Sequence, residues 1–331
     1  MKKVINDPEY VVEEMLEGMT YAYPQYVKKL DNANVIVRKD SKLDKVALVS
    51  GGGSGHEPSH GGFVGYGMLD GAVAGAVFTS PTPDQVYEAI KAVANDAGVL
   101  LVVKNYTGDV MNFDMAKEMA EMEGIKVDSV IVDDDVAVEN STWTIGRRGI
   151  AGTIFVHKLA GAKAETGATL EEVKAVAEKV INNVRSMGMA LTPCTVPAAG
   201  KPNFTLDENE MEIGMGIHGE PGTHREELKT ADEIVTHLMD KILADMNLAK
   251  GDEVAILVNG LGGTPLMEQF IINRKVNKIL EEKKINIYKT ILGEYMTSIE
   301  MAGFSISLLK LDDELKVLLD AKADTPAFKQ F

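Results

Sequence analysis

The feature that most restricts this chain is a set of short apolar runs separated by helix-like stretches. "KVALVS" (45–50), "GVLLVVKN" (98–105) and "KVDSVIVD" (126–133) are rich in valine and leucine. Runs of that kind belong to strands covered on both faces. Between them lie helix start signals. Thr82, Pro83 and Gln85 read as an N-cap, a first helical residue and a capping-box partner. Thr169 with Glu172 opens "LEEVKAVAEKVINNVRSMG", expected to run as helix until Gly188. Alternating strands and helices predict an α/β fold with mixed or largely parallel sheets flanked by helices.

The stretch 189–209, "MALTPCTVPAAGKPNFTLDEN", has three prolines and no period, and reads as a connection between domains. Beyond it, Met211, Ile213, Met215 and Ile217 alternate as in a half-buried strand ending at His218. Thr230 with Glu233 forms another capping box. "EVAILVNGLGGTPLMEQF" (253–270) then repeats a strand, glycine turn and helix, and "INIYKTILGEY" and "FSISLLKL" supply further strands. Two α/β domains are expected, 1–186 and 187–331.

Composition narrows the function. Lys and Arg number 34 against 50 Asp and Glu, a formal charge of −16 with no local basic patch. Nucleic-acid and anionic-membrane surfaces are therefore not expected. The single Cys194 leaves no internal disulfide or cysteine-based zinc site and fits a reducing cytoplasm. The start "MKKVINDPEY" lacks the apolar centre of a signal peptide. No run approaches the roughly 18 apolar residues of a membrane helix. The 17 methionines read as core filling.

A glycine-rich turn, "VSGGGSGHEP" (49–58), follows the first strand. It is built like a phosphate cradle but fails both nucleotide templates. Gly51 plus five reaches His56 where a P-loop needs a glycine followed by lysine, and the dinucleotide spacing breaks at the same residue. "NGLGGT" (259–264) lacks the lysine too. Glycines still let backbone amides approach a small ligand closely.

Ligands of open α/β sheets collect beyond the carboxyl ends of the strands. His56, Lys104, Asp109 and His218 all fall at such exits, which makes them the site candidates. Each alone is also an ordinary strand-end or capping residue, and spacing does not show that they meet. His60 lies in the same glycine-rich loop, with contact to the site as its lesser reading; His157 is read as a packing or capping residue, His224 as exposed after a turn and His237 as an ordinary helix position. Asp133, Asp134 and Asp135 form a turn at a strand exit rather than a metal site, since no fourth ligand has usable spacing. Trp143 and the pair Arg147–Arg148 suggest no chemistry.

Taken together, "VSGGGSGHEPSHGGFVGYGML", "FTSPTPDQ", "VKNYTGDVMNFDMA", "VIVDDDVAV", "GRRGIAGT", "TPCTVPAAGKPNFTL" and "MEIGMGIHGEPG" closely resemble the dihydroxyacetone kinase family, within it the substrate-binding K subunits. The resemblance runs from about residue 5 to about 325. It implies a homodimer of two-domain chains that holds dihydroxyacetone between the first domain's loops and the "GIHG" histidine. By position, His218 matches the histidine whose Nε2 adds to the C2 carbonyl to give a covalent hemiaminal. Gly53, Ser54 and Gly55 match the loop lying against the substrate, and Lys104 the residue that hydrogen-bonds it. Asp109 and His56 match the pair credited with acid–base work on the hydroxyl to be phosphorylated. Which of the two takes the proton stays open. Glycerol has similar hydroxyls but no carbonyl, so the adduct would exclude it.

The chain carries no Walker loop and ends at 331 without the second, nucleotide-binding domain of the ATP-using members. The resemblance therefore implies the bacterial, phosphoenolpyruvate-dependent system. There a separate L subunit holds ADP/ATP with Mg²⁺ and is recharged by the phosphotransferase-system M subunit. This chain is expected to bind no cofactor or metal of its own. A second function fits the resemblance: a non-catalytic paralogue that binds dihydroxyacetone and co-activates a transcriptional regulator. Such a sensor needs His218 but has less need of Asp109 and His56. An unrelated nucleotide-dependent oxidoreductase is disfavoured by the failed glycine spacings.

Overall fold

The structure, a computed structural model, describes residues 2–40, 44–139 and 144–331. Among them the chain forms two six-stranded sheets and a short two-stranded ribbon. Helix α1 (Val11–Ala22) precedes β1 (Val27–Lys29), β2 (Val35–Arg38), β3 (Ala47–Ser54) and β4 (Gly71–Val77). Helix α2 (Pro83–Val93), β5 (Val99–Lys104), α3 (Thr107–Met122) and β6 (Val127–Val132) complete the first sheet, ordered β1-β2-β4-β3-β5-β6. Its β4, β3, β5 and β6 run parallel, and β1 and β2 add an antiparallel edge.

Helices α4 (Thr153–Glu165) and α5 (Leu170–Asn183) lead to β7 (Val184–Ala190). The second sheet joins β7 to β8 (Glu210–Ile213), β9 (His224–Glu227), β10 (Glu253–Gly260), β11 (Asn286–Gly293) and β12 (Gly303–Leu311). Only β10 and β11 pair in parallel; the other neighbours are antiparallel. Helices α6 (Ala231–Asp245) and α7 (Leu266–Glu282) cover its outer face, and α8 (Asp313–Asp320) precedes the ribbon β13 (Ala323–Asp324) and β14 (Lys329–Gln330).

The layers share their middle. One core packs α2 and α3 on the first sheet, and another packs α6 and α7 on the second. The largest core is common to both sheets: Leu48, Leu100 and Val102 of the first meet Leu257, Leu309 and Leu311 of the second through Phe155, Leu159 and Val180. Helix α4 is buried from Thr153 through Ala162, so it has no polar face and no amphipathic period to read. The expected division at 186/187 falls inside β7, all of which belongs to the second sheet.

Several local expectations differ from what the chain does. Helix α5 starts on the expected Thr169–Glu172 box but ends at Asn183, and Gly188 lies inside β7. Thr230–Glu233 also forms its box, whereas Thr82 makes no side-chain cap and Gln85 Oε1 has no partner among the described residues. The alternating Met211–Ile217 run is all buried, yet the strand stops at Ile213 because Gly214 turns left-handed at φ +74°. The proline-rich stretch 189–209 links β7 to β8, adjacent strands of one sheet, instead of connecting two domains.

Candidate active site

The glycine-rich segment is the end of a strand, not a turn: β3 continues through Gly51–Gly53 to Ser54, paired with β4. What glycine provides there is room. A Cβ at residue 52 would lie 2.5 Å from Lys104 Nζ and 3.4 Å from Asp109 Oδ2, and one at residue 53 would lie 2.5 Å from the Thr79 nitrogen. The hydroxyl of Ser54 donates to Gly75 O (2.7 Å), and Gly55 N donates to the Glu57 carboxylate (3.1 Å). The chain then turns through His56 to His60.

Lys104 ends β5 and is fully buried. Its ammonium donates to Gly51 O (3.2 Å) and lies 3.6 Å from Asp109 Oδ2. Asp109 sits in the first turn of α3, where the helix N-terminus favours a carboxylate, and its Oδ1 accepts a hydrogen bond from Ser80. A buried cation and anion are thus held side by side, each with further partners, as desolvated charges must be.

Two imidazoles face each other beside this pair. His56 is buried and donates from Nδ1 to Thr297 O (2.8 Å), which leaves the lone pair on Nε2. That Nε2 has no partner among the described residues. The ring stacks on Phe78 at 5.3 Å and meets the half-buried His218 edge-on at 4.8 Å. Tyr106 and Phe78 enclose His218 at 4.5 and 5.4 Å. Burial, then the charges of Lys104 and Arg148, pull the His218 pKa down to about 3. Burial, followed by His218 and Lys104, pushes His56 well below the usual histidine range. Both rings are therefore neutral at neutral pH, one able to act as nucleophile and the other as proton acceptor.

His218 lies on the loop after β8, and that loop is gripped by charges to which the sequence assigned no such role. Glu220 accepts from the His218 backbone N–H (2.9 Å) and from Tyr106 OH (3.2 Å). Arg148 stands 3.6 Å from Glu220, donates from Nε to Asp135 (2.8 Å) and caps Gly214 O (2.6 Å). Arg148, Asp135 and Glu220 are all buried. Asp134 takes the N–H groups of Ile150 and Gly152, and burial raises its pKa to about 6. Asp134 and Asp135 thus tie the first sheet to the loops around it. Arg147 pairs with Asp245 at the surface, and Trp143 lies outside the described residues.

His56, Lys104, Asp109 and His218 gather at the exits of β3 and β5 and the loop after β8, with Gly53, Ser54 and Gly55 alongside. Two further residues belong with them: His60 touches Lys104 (3.2 Å), and His157 touches His60 (3.0 Å). His224 is exposed on β9 and stacks with His237 of α6. No group of three or more His, Cys, Asp or Glu side chains able to hold a metal occurs among the described residues. No helix among them is long and apolar enough to cross a membrane. An apolar cavity of about 330 Å³ between α1 and the first sheet is lined by Met15, Leu16, Met19 and Ile36 and reaches Gly53, Ser54 and His60 of the site, but not His56, Lys104, Asp109 or His218.

Comparison with known proteins identifies the family. Residues 17–327 match the Dak1 domain. The chain is 57% identical over 313 residues to the dihydroxyacetone-binding subunit DhaK of the phosphotransferase-system-dependent dihydroxyacetone kinase of Lactococcus lactis, covering 95% of this chain and 94% of that one. The crystal structure of the dihydroxyacetone kinase of C. freundii superimposes with a TM-score of 0.90 at 36% identity, over 99% of this chain and 60% of that chain. The dihydroxyacetone kinase operon co-activator DhaQ also gives 0.90, at 34% identity, over 96% of this chain and 98% of that chain. The chain belongs to the Dak1-domain family of dihydroxyacetone kinases.

Proposed function

We propose that this chain is the dihydroxyacetone-binding subunit of a phosphoenolpyruvate-dependent dihydroxyacetone kinase, and that it captures its substrate as a covalent hemiaminal on His218. The observation that carries the reading is the pair of neutral, mutually facing imidazoles His218 and His56, with an unpartnered acceptor on His56 Nε2. A neutral imidazole nitrogen adds to the C2 carbonyl. The proton lost from the other ring nitrogen balances the one taken up by the carbonyl oxygen, so the adduct forms without net change in charge. The bond fixes a three-carbon ligand too small to be oriented by contacts alone. Gly53, Ser54 and Gly55 let the backbone lie against it, and Lys104 hydrogen-bonds it.

Asp109 or His56 then accepts the proton of the terminal hydroxyl as phosphorus arrives. The phosphoryl group comes from ATP with Mg²⁺ on a separate L subunit, recharged by an M subunit of the phosphotransferase system, while this chain works as a homodimer in the cytoplasm. Mixing the protein with dihydroxyacetone, an ADP-loaded L subunit and its phosphoryl donor chain should yield dihydroxyacetone phosphate. His218→Ala should lose both product and the adduct, read by native mass spectrometry. An adduct that survives in His218→Ala removes this residue from its role.

The co-activator relative supports a second reading, a sensor that binds dihydroxyacetone without phosphorylating it. Asp109 and His56 in one site with His218 favour the kinase. No product with a partner of proven activity, alongside an intact adduct, would leave the sensor.

A further inference from the structure

Lys104 meets three acceptors: Gly51 O at 3.2 Å, His60 Nε2 at 3.2 Å and Asp109 Oδ2 at 3.6 Å. An ammonium only donates, so His60 must present a lone pair at Nε2. The other side of that ring tests this. His60 Nδ1 lies 3.0 Å from His157 Nε2 and 3.4 Å from Ser50 Oγ. The Ser50 hydroxyl proton is committed to Val102 O at 2.7 Å, so its oxygen can only accept. Nδ1 of His60 therefore carries the ring proton, and His157 receives it at Nε2. His157 must then hold its own proton on Nδ1, which is buried without a partner among the described residues. Each link has one direction, from Lys104 towards α4. Burial, then the Lys104 charge, keeps both rings neutral, His157 at a pKa of about 3.

We propose that His60 and His157 are positioning residues for Lys104. Gly51 O takes one ammonium N–H and His60 a second, so the third is aimed at Asp109 and the bound triose. The proposal rests on Lys104 being the donor to substrate. A neutral acceptor suits the task better than a carboxylate, because it steers the ammonium without neutralising the charge that Asp109 and the substrate need. His157 locks the tautomer: without it, His60 can move its proton to Nε2 and confront Lys104 with a second donor. The lock is rigid because α4 is packed on all sides.

Nitrogen-15 histidine spectra of the full-length wild-type protein should show His60 protonated at Nδ1 and bare at Nε2. His157→Leu should set the His60 tautomers exchanging and lower kcat/KM for dihydroxyacetone about tenfold, the worth of roughly one buried hydrogen bond. His157→Gln, whose amide oxygen can accept from Nδ1–H, should recover most of that loss. A wild-type His60 protonated at Nε2 would overturn the proposal without any variant. So would unchanged kcat/KM in a folded His157→Leu, or a His157→Gln as impaired as the leucine variant. If wild-type protein forms no adduct with dihydroxyacetone, the capture reading fails by itself, and the spectra still decide the tautomer.

Discussion

The two halves of the site are built in opposite ways. Lys104 and Asp109 come from the end of a parallel strand and the first turn of the helix after it, so regular hydrogen bonding fixes their backbones. His218 comes from an irregular loop between two short antiparallel strands, and its backbone is fixed by Glu220, Arg148 and Asp135 instead. An open parallel sheet supplies a rigid rim at its carboxyl edge without further help. A mostly antiparallel sheet does not, and the chain makes up the difference with buried charges reaching across from the first half.

Substitutions can break each construction in turn. The largest effect is expected on turnover at the rigid rim. Asp109→Ala should keep the adduct but lower kcat by on the order of 10²–10⁴, as removal of an acid–base group does. Unchanged turnover would assign the proton to His56. Next comes Arg148→Met, which strands Asp135 and Glu220 as buried, unpaired carboxylates and should cost about 3–5 kcal/mol of stability, read from denaturant midpoints. Its neighbour is the control. Arg147→Met breaks a partly exposed pair with Asp245, which keeps Arg185, and should cost about 1 kcal/mol or less. Equal losses at 147 and 148 would deny the clamp its special part.

The smallest effect is one of pH. His218, at a pKa of about 3, should keep capturing substrate as pH falls to about 5.5, where an ordinary imidazole titrating near 6.5 has lost about nine-tenths of its neutral form. An adduct yield that halves near pH 6.5 would place His218 in a wetter setting. Stability should meanwhile decline over that window. His56, His60, His157 and His218 stay neutral when folded, while the unfolded chain takes up protons below about 6.5, so acid favours unfolding. Asp134, raised to about 6, works the other way, because its folded form binds a proton first and its contribution is lost as pH rises through that value.

What the sequence disclosed follows the same division. β5 and β10 were legible because strands buried on both faces are continuous apolar runs, and β6 by its valines and isoleucine, although this edge strand leaves Ile131 exposed instead of being covered on both faces. β4, "GAVAGAV", and the glycine half of β3 were not, because small residues chosen for close approach carry no β signal. The four strand-exit candidates were legible as chemistry, and the resemblance gave them roles. Glu220 and Tyr106 were invisible and Arg148 was seen without a role, since Glu220 lies 72 residues from Arg148 and 114 from Tyr106 and no local pattern links them. His60 was read first as an ordinary residue of the glycine-rich loop and His157 as a packing or capping residue. Both are buried, but His60 meets Lys104 and His157 meets His60.

The helix layer shared by both sheets has a consequence for how a turnover can proceed. With Phe155, Leu159 and Val180 interdigitated between Leu100 on one side and Leu257 on the other, the halves cannot swing apart about a hinge without emptying the largest core. Substrate exchange then has to happen at the rim, through loops, over a floor that does not move.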